Sequence, residues 1–398
     1  MNETQDQHIN TSTTEKSGQA PQHNFGGIYL HIPFCKQACH YCNFHFSTSM
    51  RYKSEMIAAI MKEIEIQKDY LQNLPLQSIY FGGGTPSVLE TSEIEELLSQ
   101  IYKFHKVLPN AEITLEANPD DLTETKLQQL SETRINRLSI GVQSFFNTDL
   151  KYMNRAHDAS EAINCIKNAQ KYGFNNLTID LIYGTPTMNN SQWQTNLQTI
   201  FDLNISHISC YCLTVEPKTA LEHFVKTGKS EAVDETQAAT QFEILVEEMT
   251  KNGFEHYEIS NFAKPNFYAV HNSNYWTGKK YLGVGPSAHS FNGETRQWNV
   301  AHNQQYINSL EKDELNFELE NLSSNDQFNE YIMTGLRTKW GVNLVKIENW
   351  GENIKQHFIE KAQPFLENET MVQTEDGFIL TSKGRFLSDG IISELFMV

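Results

Sequence analysis

The chain has 398 residues, of which 39% are hydrophobic and 11% aromatic, enough for two or three domains with sizeable cores. With 31 Lys and Arg against 49 Asp and Glu, its net charge is −18. That charge repels phosphate backbones and anionic membrane surfaces, which excludes general nucleic-acid binding.

Residues 1–24 are polar, lack the apolar core of a secretory signal and read as a disordered tail. No later stretch holds about 18 continuous apolar residues, so no spanning helix is expected. Six cysteines, three of them at Cys35, Cys39 and Cys42, point to a reducing compartment and a metal or redox site. A cytoplasmic protein is expected.

From Gly27 short apolar runs alternate with amphipathic stretches. Strands are predicted at "GIYLHI" (27–32), "SIYFGGG" (78–84), "EITLEANP" (112–119), "RLSIGVQS" (137–144), "LTIDLIYG" (177–184) and "HISCYCLTV" (207–215). Helices are predicted between them, including 51–72 and 91–105. Six βα units within about 200 residues imply a parallel sheet and suit an incomplete (β/α) barrel better than a doubly wound sheet. Gly82–Pro86, Glu116–Pro119, Gln143 and Gly184–Pro186 all fall at strand C-termini. That is the ligand-binding edge of parallel α/β folds, although Gly, Asn and Pro also serve ordinary turns. The expected division is a barrel over 25–260, a connecting region over 261–325 and a small helical, winged-helix-like domain over 326–398. The last shows no basic recognition face and reads as a packing or partner module.

The C-x3-C-x2-C run supplies three soft anionic ligands on one loop. Three thiolates can hold three irons of a cubane cluster and leave the fourth iron open to a small molecule. Zinc is the competing reading, because His45 follows Cys42 closely enough to complete a Cys3His site.

The cysteine spacing after a first strand, Tyr41 before the third Cys and "GGGTP" after the second strand together resemble the radical SAM superfamily. The resemblance implies a [4Fe–4S] cluster on Cys35, Cys39 and Cys42, with S-adenosylmethionine (SAM) on the open iron. "YLHIPFC", "FGGGTPS", "LEANP", "RLSIGVQSF", "NRAHD" and "IDLIYGTP" are similar to the anaerobic coproporphyrinogen oxidase group, from about Gly27 to the C-terminus. It implies SAM contacts from Tyr29, Tyr41, Gly83, Gly84, Thr85, Glu116, Gln143, Arg155 and Asp180. Glycines would admit the ligand to the strand edge, carboxylates would accept from an amine or ribose, and Arg155 would fork onto a carboxylate. Without the resemblance, Arg155 and Asp180 read equally as a structural ion pair. Cys212 is a looser SAM neighbour.

Oxidases of this group carry a further Cys two residues after the third, where this chain has Phe44. That departure matches the HemW-type haem chaperones. "HNSNYW" (271–276) fits the same branch's HNxxYW motif, which implies haem binding with His271 as the iron ligand and Tyr275 and Trp276 as pocket walls. His289 is a weaker ligand candidate. Gly283, Gly285 and Ala288 imitate a dinucleotide fingerprint but open no clear βαβ unit. Cys165 and Cys210 read as small core residues.

The expectation is therefore a haem chaperone holding haem, a [4Fe–4S] cluster and SAM. Its implied partner is a haem-acceptor protein, in this family often respiratory and membrane-associated; a dimer is compatible with the sequence. The alternative is oxygen-independent coproporphyrinogen III oxidation, in which a reduced cluster and SAM generate a radical that attacks the propionates. A zinc-structured interaction module is the third reading.

Overall fold

The computed structural model describes residues 25–397, so the polar segment 1–24 lies outside them. Six strands, β1 (Gly26–Ile32), β2 (Leu76–Gly83), β3 (Val107–Ala117), β4 (Arg137–Gln143), β5 (Leu177–Tyr183) and β6 (His207–Cys212), lie side by side in sequence order. Each pairs in parallel with the next. Helices Lys53–Ile66, Thr91–Phe104, Glu124–Ser131, Ala159–Lys171 and Asn190–Asp202 carry the chain back between them. Their starts are written locally: Asp158 and Asn189 each cap a helix and form a reciprocal capping box.

The strands alternate with period two, as half-buried strands do. One face carries Ile28, Leu30, Ile79, Phe81, Leu115, Leu138, Ile140, Ile179 and Ile208, which pack with the helices into the main core. The opposite face carries Tyr29, Ser78, Tyr80, Glu112, Glu116, Arg137, Ser139, Asp180, His207 and Ser209. Those side chains bond to one another inside the barrel. The barrel is thus oil on the outside and polar within.

The sheet does not stop at six strands. β7 (Glu255–His256) and β8 (Asn261–Ala263) extend it beyond β6, with β8 antiparallel to β6. β9 (Tyr281–Val284) returns to pair in parallel with β1, and β10 (His289–Phe291), β11 (Thr295–Asn299) and β12 (Phe317–Asn321) continue that edge. The two ends of the sheet, β12 and β7, do not meet, so the barrel is open. Much of the region 261–325, expected as a connection, is therefore built into the barrel sheet. Strand β3 also begins five residues earlier than predicted, at Val107 instead of 112. In the 283–288 stretch β9 leads into β10 and no helix follows. Gly285 (φ +102°) presses against the His31 carbonyl, which explains its glycine without a nucleotide.

The C-terminal residues form a second core around Phe328, Ile332, Phe358, Phe378 and Leu380. Helix Ser324–Leu336 leads to β13 (Val342–Asn343), then helices Leu344–Glu348 and Glu352–Glu367, then the hairpin β14 (Met371–Gln373) and β15 (Gly377–Leu380). The sheet order β13-β15-β14 with these helices is a winged-helix arrangement. Helices Ser382–Phe386 and Ser388–Glu394 close the chain.

One buried carboxylate ties the added strands to the barrel. Glu63, 0% exposed, accepts from the Gly285 amide (2.8 Å), Asn299 Nδ2 (2.7 Å), Gln67 Nε2 (2.8 Å) and the Tyr306 hydroxyl. Replacing it by Ala leaves those donors unpaired in a dry site. Glu63→Ala should therefore lose on the order of 3 kcal/mol in denaturant unfolding. A change below about 0.5 kcal/mol would show that the network contributes little.

Candidate functional site

The cysteine loop leaves β1 at Pro33 and folds back on itself. The Cys35 amide donates to the Ser47 carbonyl (3.0 Å), and the Ser47 amide donates to the Pro33 carbonyl (2.9 Å). The GGG turn after β2 meets it backbone to backbone. The Gly84 amide donates to the Ile32 carbonyl (2.9 Å) and the Thr85 amide to the Phe34 carbonyl (2.7 Å). A Cβ on Gly84 would lie 2.6 Å from the Phe34 carbonyl oxygen, and one on Gly83 (φ +106°) 2.8 Å from the His31 ring. These glycines are demanded by the loop's seating, whatever ligand lies beyond them. On its other side the loop is tied to the connection after β4, just past its short helix Asn147–Tyr152: the His40 amide donates to the Met153 carbonyl, Gln37 Nε2 to the Asn154 carbonyl and Asn154 Nδ2 to the Ala38 carbonyl, the last two at 2.8 Å.

Cys35, Cys39 and Cys42 line one end of a cavity of about 1310 Å³ at the C-terminal ends of the strands. Tyr41, Gly83, Gly84, Thr85, Glu116, Gln143, Arg155 and Asp180 line it too. Thr85 Oγ1 donates to Cys35 Sγ at 3.3 Å, and Arg155 Nη1 to Cys39 Sγ at 3.2 Å. Arg155 Nη2 also donates to Asn118 Oδ1 and the Gly141 carbonyl, each at 2.6 Å, while its Nε is buried without a partner. No acid lies within ion-pair distance of Arg155 among the described residues, so it is not held in a salt bridge with Asp180. Gln143 ends β4 at φ +70°, an uncommon conformation for a non-glycine residue and typical of functional sites.

Burial pushes the Cys35 thiol up to about 11 and raises Cys42, with Thr85 opposing at Cys35 and the Phe44 amide opposing at Cys42. Three thiolates on one loop need more positive charge than Arg155 alone supplies, which an iron–sulfur cluster brings. Among the described residues no trio of His, Cys, Asp or Glu is grouped around one ion-sized point, and His45 does not complete the cysteine set. His45 instead lies 2.7 Å from Asn303 Oδ1. Deeper in the cavity, burial pushes the Glu116 carboxyl up to about 8, with Asp180 adding to the rise and the Tyr80 hydroxyl (2.7 Å) opposing it. Asp180 is pushed up to about 6, again chiefly by burial.

Residues 29–200 match the radical SAM superfamily, and residues 322–387 match the HemN C-terminal domain. A haem chaperone HemW of Bacillus subtilis is 31% identical over 367 residues, covering 91% of this chain and 97% of the relative. The Lactococcus lactis protein of that name is 32% identical, with the same coverage. The chain belongs to the HemW family of the radical SAM superfamily. The coproporphyrinogen III oxidase HemN of Escherichia coli shares the fold, with a TM-score of 0.82 at 22% identity over 94% of this chain and 90% of that one.

Two features singled out through the HemW resemblance sit at opposite ends of the barrel. Phe44 lines the cavity rim and is 70% exposed. HNSNYW forms the helix Val270–Trp276, which plugs the N-terminal end of the barrel. Glu112 accepts from the amides of Val270 and His271 at 3.0 Å each, a carboxylate at a helix start, and Arg137 Nε lies 3.6 Å from the same carboxylate. His271 is 2% exposed. Its Nδ1 lies 2.8 Å from Ser78 Oγ and its Nε2 2.9 Å from the Tyr275 hydroxyl. Burial lowers its pKa to about 3, which keeps it neutral. Both ring nitrogens are thus engaged, so the expected iron ligand has no free lone pair in this state. Tyr29 stacks on Tyr80 and His271 inside the barrel (6.1 and 6.3 Å). Tyr29, Tyr275 and Trp276 all lie outside the cavity lining, and His289 stacks on Trp298 at the β10–β11 edge. Of the remaining cysteines, Cys165 and Cys210 are both buried in the main core, as expected, with Cys210 also bordering the cavity, and the exposed Cys212 lines it.

Sequence reading missed the contribution of the winged-helix unit, whose Arg337, Arg385, Phe386, Ser388 and Asp389 line the same cavity. No local signal marks them, because only the docking of the two cores brings them there.

The raised Glu116 value fixes a pH dependence. Folding favours its neutral form, so its contribution to stability is complete below the unfolded value of 4.5 and is lost as pH rises through about 8. In ligand-free protein, the melting temperature of the wild type should fall relative to Glu116→Gln between about pH 5 and about pH 9. Parallel profiles would contradict the burial of this carboxyl.

Proposed function

We propose that the chain is a cytoplasmic haem chaperone that carries a [4Fe–4S] cluster and SAM and passes haem to an acceptor protein. Cys35, Cys39 and Cys42 would hold the cluster, and together with SAM it supplies one-electron chemistry when bound. Gly83, Gly84 and Thr85 seat the loop that presents it. Arg155, with one guanidinium nitrogen unpaired, suits the SAM carboxylate, and Glu116, Gln143 and Asp180 suit its amine and hydroxyls.

The observation that carries the haem reading is the size and lining of the cavity. At about 1310 Å³ it is larger than the roughly 300–1,000 Å³ of an ordinary small-molecule pocket, room that the cluster, SAM and a further large ligand would share. That space is walled by Phe46, Tyr183, Tyr211, Phe242 and Phe386, a lining suited to a flat apolar macrocycle. The iron–sulfur loop offers Phe44 at its rim where an oxidase carries a cysteine. Haem on His271 would instead require helix Val270–Trp276 to leave its seat and break its bonds to Ser78 and to the Glu112 carboxylate.

The test is an anaerobic haem titration of reconstituted protein, followed by Soret absorbance. A parallel assay supplies coproporphyrinogen III, SAM and a reductant. Stoichiometric haem binding without decarboxylation is expected. His271→Ala should keep that stoichiometry while melting at lower temperature, because it removes hydrogen bonds from the barrel plug. Turnover without haem binding would make the chain an oxidase. Loss of the Soret band in a folded His271→Ala protein would place haem at the barrel plug.

A further inference from the structure

The cavity is lined by three cationic side chains, Arg155 beside the cysteine loop and Arg337 and Arg385 on the winged-helix wall. Both Nη atoms of Arg155 are taken up by Cys39, Asn118 and Gly141, and its remaining Nε is the one assigned to SAM above. The other two are differently placed. Arg337 pairs with Asp389 at 2.6 Å, but that carboxylate side chain is 84% exposed, so the pair is weak and exchangeable. Arg385 donates from Nη1 to the His256 carbonyl, and its Nε is buried with no partner. No acid pairs with Arg385 within 4 Å among the described residues. Phe386, next to Arg385 in sequence, packs on Phe242 at 5.5 Å and gives the same wall an aromatic surface. The carboxylates Glu216 and Glu235 also line the cavity, Glu216 accepting from Asn43 Nδ2 at 3.2 Å.

We infer that Arg337 and Arg385 bind the two propionate carboxylates of haem, so that the winged-helix unit is the clamp that orients the cargo in the cavity. The inference rests on the haem reading above. A planar, doubly anionic ligand needs an apolar face for its ring and cationic forks at one edge. Arg supplies bidentate donors that match a carboxylate, and these two have donors to spare. In this arrangement a haem carboxylate displaces Asp389 from Arg337 and satisfies the orphaned Nε of Arg385. The winged-helix wall of the cavity carries two guanidiniums against one carboxylate, that of Asp389.

The experiment titrates the full-length, cluster-reconstituted protein with haem and with haem dimethyl ester, whose propionates are blocked. Wild type should bind haem at least on the order of tenfold more tightly than the diester. Arg337→Gln and Arg385→Gln should each lose on the order of tenfold for haem and little for the diester. Asp389→Asn should bind haem more tightly, a gain that misfolding cannot produce. Equal affinity of wild type for haem and diester, with no change in the arginine variants, would overturn the clamp and leave the chaperone reading intact. Absence of haem binding by the wild type would overturn the chaperone reading itself, and the clamp with it. Should Arg385→Gln fail to fold, the wild-type diester comparison and Asp389→Asn decide the question.

Discussion

The missing side chain at Gly84 is the constraint on which the site depends. It lets the turn after β2 touch the backbone of the cysteine loop, with the Gly84 and Thr85 amides on the Ile32 and Phe34 carbonyls. That contact sets where Cys35 stands, and Thr85 then reaches its sulfur. The other side of the loop is held by the connection after β4, which also delivers Arg155 to Cys39. Two separate connections, after β2 and after β4, thus determine the position of three thiols, and the cavity they face comes with them.

The barrel interior explains how one fold carries a sealed end and an open end. Apolar side chains face the helices, so hydrophobic burial is satisfied outside the barrel and the interior is free to be polar. At the N-terminal end Ser78 bonds to His271, Glu112 accepts from the start of the HNSNYW helix with Arg137 beside it, and that helix closes the hole. At the C-terminal end, Glu116 and Asp180 hold raised carboxyl values and Arg155 keeps an unpaired nitrogen, a set of groups awaiting partners. Between the two ends lie Tyr29 and Tyr80, which link His271 to Glu116 through stacked rings and one hydrogen bond.

Much of this was legible in the sequence because it is local. The alternation in β1 to β6, the glycine run after β2 and the cysteine spacing are each written within ten residues or so, and the structure puts the three cysteines and most of the expected SAM contacts around one cavity. The same alternation carried a further signal: Tyr29, Ser78, Tyr80, Glu116, Arg137, Ser139 and Asp180 occupy the inward phase of their strands. What was not legible depends on long-range return of the chain. β9 pairs with β1 across some 250 residues, and no periodicity announces it. The seat of the HNSNYW motif is set from far away in sequence, by Glu112, which anchors it as a helix at the barrel floor. Glu63 is buried because β9, β11 and Tyr306, all more than 200 residues away in sequence, surround it.

The most direct test of this account is Gly84→Ala, reconstituted anaerobically with iron and sulfide. A Cβ 2.6 Å from the Phe34 carbonyl must push the cysteine loop off its seat. The account predicts that the cluster's visible absorbance and SAM binding are both lost while far-ultraviolet circular dichroism stays that of the folded protein. A fully formed cluster with only SAM binding weakened would contradict it, because the glycine would then serve the ligand and not the loop.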